Sequence, residues 1–125
     1  MPADRYQDLR AWQRAIELVE RVYAVTSRLP QEEMFGLKSQ LRRCAVSIPS
    51  NIAEGNSRES RRDYLRFLEI AKGSLFELQT QNDIAARLEF ISKETYGRLS
   101  EVCLEIERML SAMVRKLKTP EGSAE

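Results

Sequence analysis

The sequence predicts an all-α protein, an antiparallel up-down-up-down four-helix bundle. Three observations carry this. Apolar residues recur in alternating steps of three and four along four separate segments. The composition is rich in Leu, Ala, Glu and Arg, with only five glycines. The connections between the periodic segments are short, which favours antiparallel neighbours. A chain of 125 residues can bury one real core. A single domain over 1–118 is therefore expected, followed by a flexible polar tail over 119–125 that contains proline and glycine.

The first segment carries Leu9, Trp12, Ile16, Val19, Tyr23 and Thr26 as one helical stripe. Leu29-Pro30 closes it, because proline pushes the residue before it out of helical geometry. The second segment, from about Gly36, aligns Leu37, Leu41, Cys44, Ile48 and Ile52, and Gly55 suits a left-handed C-terminal cap. Asn56, Ser57 and Ser60 form a polar turn, in which Ser60 is placed to cap a third helix with Asp63 at its N3 position. That seam runs Tyr64, Leu68, Ala71, Leu75, Leu78, Asn82 and Ala85, and stops at Leu88 or Glu89. Ser92 caps the fourth helix, where Tyr96, Leu99, Cys103, Ile106, Leu110, Met113 and Leu117 share a side. Ile91 and Tyr96 have the spacing of a hydrophobic staple. Helices of about 20 to 28 residues would be roughly 30 to 42 Å long.

Several function classes lose support on composition. Lys and Arg number 20 against 19 Asp and Glu, so net charge selects no partner. Cys44 and Cys103 are too few and too far apart for a disulfide framework or a zinc cluster, and reduced, buried thiols are expected. Histidine is absent, which removes the commonest general base and metal ligand. A metal site inside a bundle should also show Glu-x-x-His pairs. No metal, no cofactor, no catalytic residue and no enzymatic activity are expected. No segment resembles an apolar signal or a span long enough for a bilayer, so a cytoplasmic protein without a membrane partner is expected.

Pro49 stands inside the second helix, where a proline removes one backbone hydrogen bond and costs about 3 kcal/mol. Ser47, Ser50 and Asn51 are placed to bond locally and help the helix tolerate it. The simplest reading is a kink that shapes packing. A subunit contact centred on Ser50, Asn51 and Glu54 is the alternative. A serine nucleophile has neither a histidine nor a recognisable lysine partner or oxyanion arrangement to support it.

The arginines are the better functional lead. Between Phe35 and Arg66, Lys38, Arg42, Arg43, Arg58, Arg61, Arg62 and Arg66 face only Glu54, Glu59 and Asp63, a local balance of +4. Arg58, Arg61, Arg62 and Arg66 crowd the start of the third helix, where positive charge opposes the helix dipole. Phosphate suits such a place, since free N–H groups add to guanidinium contacts. Arg42, Arg43, Arg58, Arg61, Arg62 and Arg66 are therefore the candidate nucleic-acid-binding set. The competing reading pairs these arginines with glutamates of neighbouring helices or subunits, such as Glu69 or Glu77.

Large apolar residues also fall off the seams: Leu18 and Val25 in the first helix, Ile70 and Phe76 in the third, and Leu104 in the fourth. Such residues are either ordinary scatter or a second apolar face used in self-association. The candidate oligomer interface is accordingly Leu18, Val25, Ile70 and Phe76, with Ser50, Asn51 and Glu54.

The run from Gly36 to Arg43, continued by Ala45-Val46-Ser47-Ile48-Pro49-Ser50-Asn51-Ile52-Ala53-Glu54-Gly55, closely resembles the 23S rRNA intervening-sequence protein family, also called S23-type. Asp8-Leu9, Trp12-Gln13, Phe67-Leu68, Ile70-Ala71, Gly73-Ser74, Glu77-Leu78, Thr80-Gln81 and Ile91-Ser92 extend the likeness over nearly the whole chain. The resemblance implies a four-helix bundle assembled into a ring-like homopentamer. It also implies kinship with accessory proteins of diversity-generating retroelements, which bind nucleic acid and a reverse transcriptase. It supplies no catalytic mechanism. The sequence departs from the expected pattern at Gln79, where glutamate is usual, at Asn82, where an apolar residue is usual, and at Glu89, where glycine often ends the third helix.

Two functions remain in competition. One is a non-enzymatic, oligomeric accessory protein that binds RNA or DNA through its arginines. The other is a structural or protein-interaction module whose arginines form subunit-interface salt bridges.

Overall fold

The computed structural model describes residues 5–119. Four helices account for most of them: α1 (Arg10–Thr26), α2 (Leu37–Asn56), α3 (Arg61–Arg87) and α4 (Lys93–Lys118). Short 3₁₀ turns at Tyr6–Asp8 and Gln31–Glu33 precede α1 and α2, and no strand occurs among the described residues. Each helix packs on its two sequence neighbours, α4 closes back onto α1, and the diagonal pairs do not meet. That is the expected four-helix arrangement. The contact between α2 and α3 is the most extensive, and that between the short α1 and α4 the least. The expected tail lies outside the described residues except for Thr119, which caps α4.

The core is one apolar column built from all four helices. The α2 and α3 stripes and the middle of α4 fall where periodicity puts them: Leu41, Cys44, Ile48 and Ile52 are buried opposite Leu68, Ala71, Leu75 and Leu78, with Leu99, Cys103, Ile106 and Leu110. In α4 the expected Tyr96, Met113 and Leu117 are half-buried, and Val102 and Val114 are buried as well. Helix α1 is rotated from its expected orientation. Ala11, Ala15, Leu18 and Val22 are its buried line, while Trp12 and Val19 flank the core and Tyr23 is exposed. Small alanines let α1 approach closely, and a stripe weighted by large residues points one position off the true contact line. This corrects the placement of Leu18 on an outer face, since it is fully buried in its own subunit. Val25 is half-buried against the same core.

Helix ends show where local chemistry decided. The Ser60 and Ser92 hydroxyls accept from the Asp63 and Thr95 amides, at 3.0 and 3.1 Å, as N-caps should. Helix α1 stops at Thr26, three residues before the expected boundary at Leu29-Pro30, and hydroxyls bond its last carbonyls. Thr26 donates to the Val22 carbonyl at 2.7 Å and Ser27 to the Ala24 carbonyl at 2.7 Å. Helix α3 ends in a Schellman arrangement: the Phe90 amide donates to the Ala85 carbonyl at 2.9 Å and the Glu89 amide to the Ala86 carbonyl at 3.0 Å. Glu89 takes the left-handed position, with φ of 61°. The geometry suits glycine, yet a glutamate occupies it.

Gly55 corrects the opposite expectation. Helix α2 continues through it to Asn56, so it is no left-handed cap. Its missing side chain instead lets α3 approach. A Cβ there would lie 2.9 Å from the Phe67 Cβ and 3.0 Å from the Tyr64 Cδ1.

Helix α2 runs through Pro49 without interruption. Pro49 offers no N–H to the Ala45 carbonyl, and nearby side chains bond the backbone as expected. Ser50 donates to the Val46 carbonyl at 2.8 Å, and Asn51 to the Ser47 carbonyl at 2.8 Å. The Ser47 hydroxyl also meets Ser74 of α3 at 2.8 Å. Ser47 thereby sits at the contact between α2 and α3, while Ser50 is exposed.

Candidate nucleic-acid interface

The α2–α3 turn and the first turns of α3 bring Arg58, Arg61, Arg62 and Arg66 to one end of the bundle. The close approach at Gly55 sets this geometry by seating Phe67 against α2. The guanidinium carbons of Arg58 and Arg66 lie 4.9 and 4.6 Å from the Phe67 ring centroid. Such contacts contribute about 0.5–1 kcal/mol at exposed sites and restrict where the guanidinium groups can go. Arg58 also bonds Glu54 at 3.1 Å, an exposed pair of the kind worth about 0–1 kcal/mol.

Arg61 donates to the Thr119 carbonyl at 3.1 Å, at the end of α4. A cation is favourable there, because helix C-terminal carbonyls carry partial negative charge. Arg62 is exposed and makes no ion pair among the described residues. With Arg66 it borders an open depression of about 650 Å³, also lined by Ser60, Asp63, Leu65 and Glu69. Within the subunit neither Glu69, which meets Lys118 at 3.7 Å, nor Glu77, which meets the Cys44 thiol at 3.5 Å, forms an ion pair with these arginines.

Arg42 and Arg43 lie apart from the cluster. Arg43 is exposed, roughly 20 Å along the α2 axis from Asn56 at ~1.5 Å per residue. Arg42 turns away to brace α1: its Nε donates to Thr26 Oγ1 at 2.8 Å and its guanidinium carbon lies 4.3 Å from the Tyr23 ring centroid. It also reaches the Tyr23 carbonyl at 3.4 Å, near the negative end of α1. Within the subunit its observed role is structural.

Sequence reasoning missed Arg115, Lys116 and Lys118, the basic last turn of α4. Antiparallel topology sets that turn beside the start of α3, as the Arg61–Thr119 and Lys118–Glu69 contacts record. Helix order together with the C-terminal charge run was the available signal.

The proposed contact residues behave differently from one another. Asn51 is half-buried and committed to Ser47, whereas Ser50 and Glu54 are exposed. Ile70, Phe76 and Leu104 are 41, 47 and 46% exposed. Asn82, buried at 2%, donates to the Tyr96 carbonyl and to Ser100, each at 3.3 Å, while its Oδ1 accepts from no protein group.

Neither thiol is primed for chemistry. Burial, then the neighbouring Glu77 carboxylate, pushes Cys44 up to about 11. Burial, with a smaller contribution from Glu107, pushes Cys103 up to about 12. Both are protonated at neutral pH and are poor nucleophiles. Among the described residues no group of three His, Cys, Asp or Glu gathers as a metal site would require. No described helix is long and apolar enough to cross a membrane.

Fold and site together define a small all-α bundle with arginines gathered where α2 meets α3. The chain belongs to the 23S rRNA-intervening sequence protein family, whose model matches residues 7–112. It is also similar to a solved structure from Bacteroides thetaiotaomicron VPI-5482, a protein of unknown function from the S23 ribosomal protein family. The TM-score is 0.79 at 25% identity, covering 84% of this chain and 95% of that one. No curated protein matches the chain.

Proposed function

We propose that this protein is a non-enzymatic accessory factor that binds the phosphates of RNA or DNA through Arg58, Arg61, Arg62 and Arg66. The observation that carries the reading is Arg62, which makes no ion pair among the described residues and stands beside Arg66 at the mouth of an open depression. The hydrogen bonds of Arg58 and Arg61 are exposed, and a phosphate can replace them with charge-assisted bonds. Phosphate contacts position a duplex without reading its bases, so binding is sequence-tolerant.

The protein works as a homo-oligomer, in the ring-like homopentamer that the family likeness implies. The exposed Ile70, Phe76 and Leu104 provide apolar surface for association. A ring repeats the arginine patch, so modest affinity per subunit becomes avidity. A reverse transcriptase or another protein is a further class of partner for such a ring.

The test is fluorescence anisotropy with labelled RNA and DNA, comparing wild type with Arg58→Glu/Arg61→Glu/Arg62→Glu. The triple variant should lose binding at least tenfold while keeping its helical content and oligomeric state. Equal binding by both proteins removes the patch. In a second reading these exposed arginines pair with carboxylates of a neighbouring subunit, to which the exposed Glu54 and Glu69 are available. Dissociation of the triple variant into monomers would establish that reading. A clean wild-type monomer by light scattering at micromolar concentration would remove self-association.

A further inference from the structure

A second cationic site lies at the other end of the bundle, in the cleft between α1 and α4. Its volume is about 210 Å³, and Arg21, Arg28 and Arg98 line it with Ala24, Val25, Thr95 and Leu99. Arg21, Ala24, Val25 and Arg28 follow steps of three and four and so face the cleft together. Thr95 and Arg98 answer from the first turns of α4. The cleft opens between α1 and α4, where the small Ala24 side chain leaves room.

No carboxylate lines the cleft. Arg98 bonds Glu94 at 2.6 Å, but that pair is 67 and 72% exposed and contributes little. Arg21 and Arg28 make no ion pair among the described residues. The end of α1 and the start of α4 meet here with opposite dipoles, so the guanidinium groups set the sign of the field. Placement beyond the C-terminus of α1 accounts for Arg28 on dipole grounds alone, but it does not account for Arg21, which lies seven residues earlier.

We propose that this cleft binds a phosphoryl group, with Arg21, Arg28 and Arg98 as its ligands and the Thr95 hydroxyl as a further donor. The Thr95 hydroxyl already accepts from Ser92 at 3.0 Å, which leaves its own proton to donate. The volume falls below the roughly 300–1,000 Å³ of clefts that enclose drug-sized ligands, so a compact oxyanion fits and a large ligand does not. Val25 and Leu99 supply an apolar wall that limits competing water. The phosphoryl group comes either from a free phosphoanion or from the end of a nucleic-acid strand. The inference does not rest on the α3 patch.

The test is an NMR titration of ¹⁵N-labelled full-length protein with inorganic pyrophosphate. Wild type should show saturable shifts at Ala24, Thr95, Leu99 and the Arg21, Arg28 and Arg98 Nε–H groups. Arg21→Gln/Arg28→Gln should weaken them at least tenfold, whereas the triple Arg58/Arg61/Arg62→Glu variant should retain them. A parallel arm compares an oligonucleotide bearing a 5′-phosphate with its 5′-hydroxyl counterpart. A tenfold preference for the phosphorylated strand at this cleft assigns the source to nucleic acid, and equal response with retained pyrophosphate binding assigns it to a free anion. Pyrophosphate shifts that are absent, or unchanged in the double glutamine variant, overturn the proposal.

Discussion

The two ends of the bundle carry arginines assembled in different ways. At the α2–α3 end, Arg58, Arg61, Arg62 and Arg66 are near neighbours in the chain, and carboxylates are mixed among them: Glu54 bonds Arg58, while Asp63 and Glu69 line the depression beside Arg62 and Arg66. At the α1–α4 end, Arg98 comes from a part of the sequence distant from Arg21 and Arg28, and the three line a cleft whose wall holds no carboxylate among the described residues. The first is a broad, open surface suited to a backbone that runs across it. The second is a small recess suited to one group. Charge density along a sequence therefore locates the first and says nothing about the second.

The largest structural effect should come at the α2–α3 end. Gly55→Ala places a Cβ within 2.9 Å of the Phe67 Cβ, an atom too close to the backbone to swing aside. Overpacking of this kind costs about 1–3 kcal/mol, readable as a lower denaturant midpoint in urea melts followed by circular dichroism. An unchanged midpoint would mean that the close helix approach does not hold Arg58 and Arg66 in place.

Arg42 and Arg62 then separate stability from binding. Arg42→Ala should lower stability by about 1–2 kcal/mol, because it removes charge-assisted bonds to Thr26 and Tyr23, and should leave nucleic-acid affinity intact. Arg62→Ala should do the reverse, weakening binding while stability stays within about 0.5 kcal/mol of wild type. Identical behaviour of the two variants would erase the distinction.

At the other end, Glu89→Gly should stabilise by about 1 kcal/mol, since φ of 61° is cheap for glycine and strained for glutamate. The thiols give the smallest signal. Native Cys44 and Cys103 should resist alkylation at pH 8, where the unfolded chain reacts readily. Folding raises both pKa values, so the stability they contribute is complete below the ordinary thiol range, near pH 8.5. It is lost as pH rises toward about 11 for Cys44 and about 12 for Cys103. Urea midpoints across pH 8 to 11 should therefore fall less steeply in a Cys44→Ala/Cys103→Ala variant.

Much of the fold was legible because α2, α3 and α4 bury regular apolar stripes and both serine caps act locally. The α1 orientation was not, because two alanines carry its contact line and large residues flank it. Gly55 was misread for a related reason: glycine serves both left-handed caps and close approaches, and only the partner helix tells them apart. The Arg58–Arg66 cluster could be read from local sequence. The commitment of Arg42 to α1, the arrival of the α4 basic turn and the α1–α4 cleft all depend on packing between distant segments.

The central claim is that the α3 arginines neutralise nucleic-acid phosphates. It is tested most directly by the slope of log Kobs against log salt concentration on duplex DNA. Four engaged arginines per subunit predict a slope near −3.6 for each engaged subunit, and Arg58→Glu/Arg61→Glu/Arg62→Glu should make it shallower by about 2.7. Equal slopes for the two proteins, or affinity independent of salt, would contradict the account.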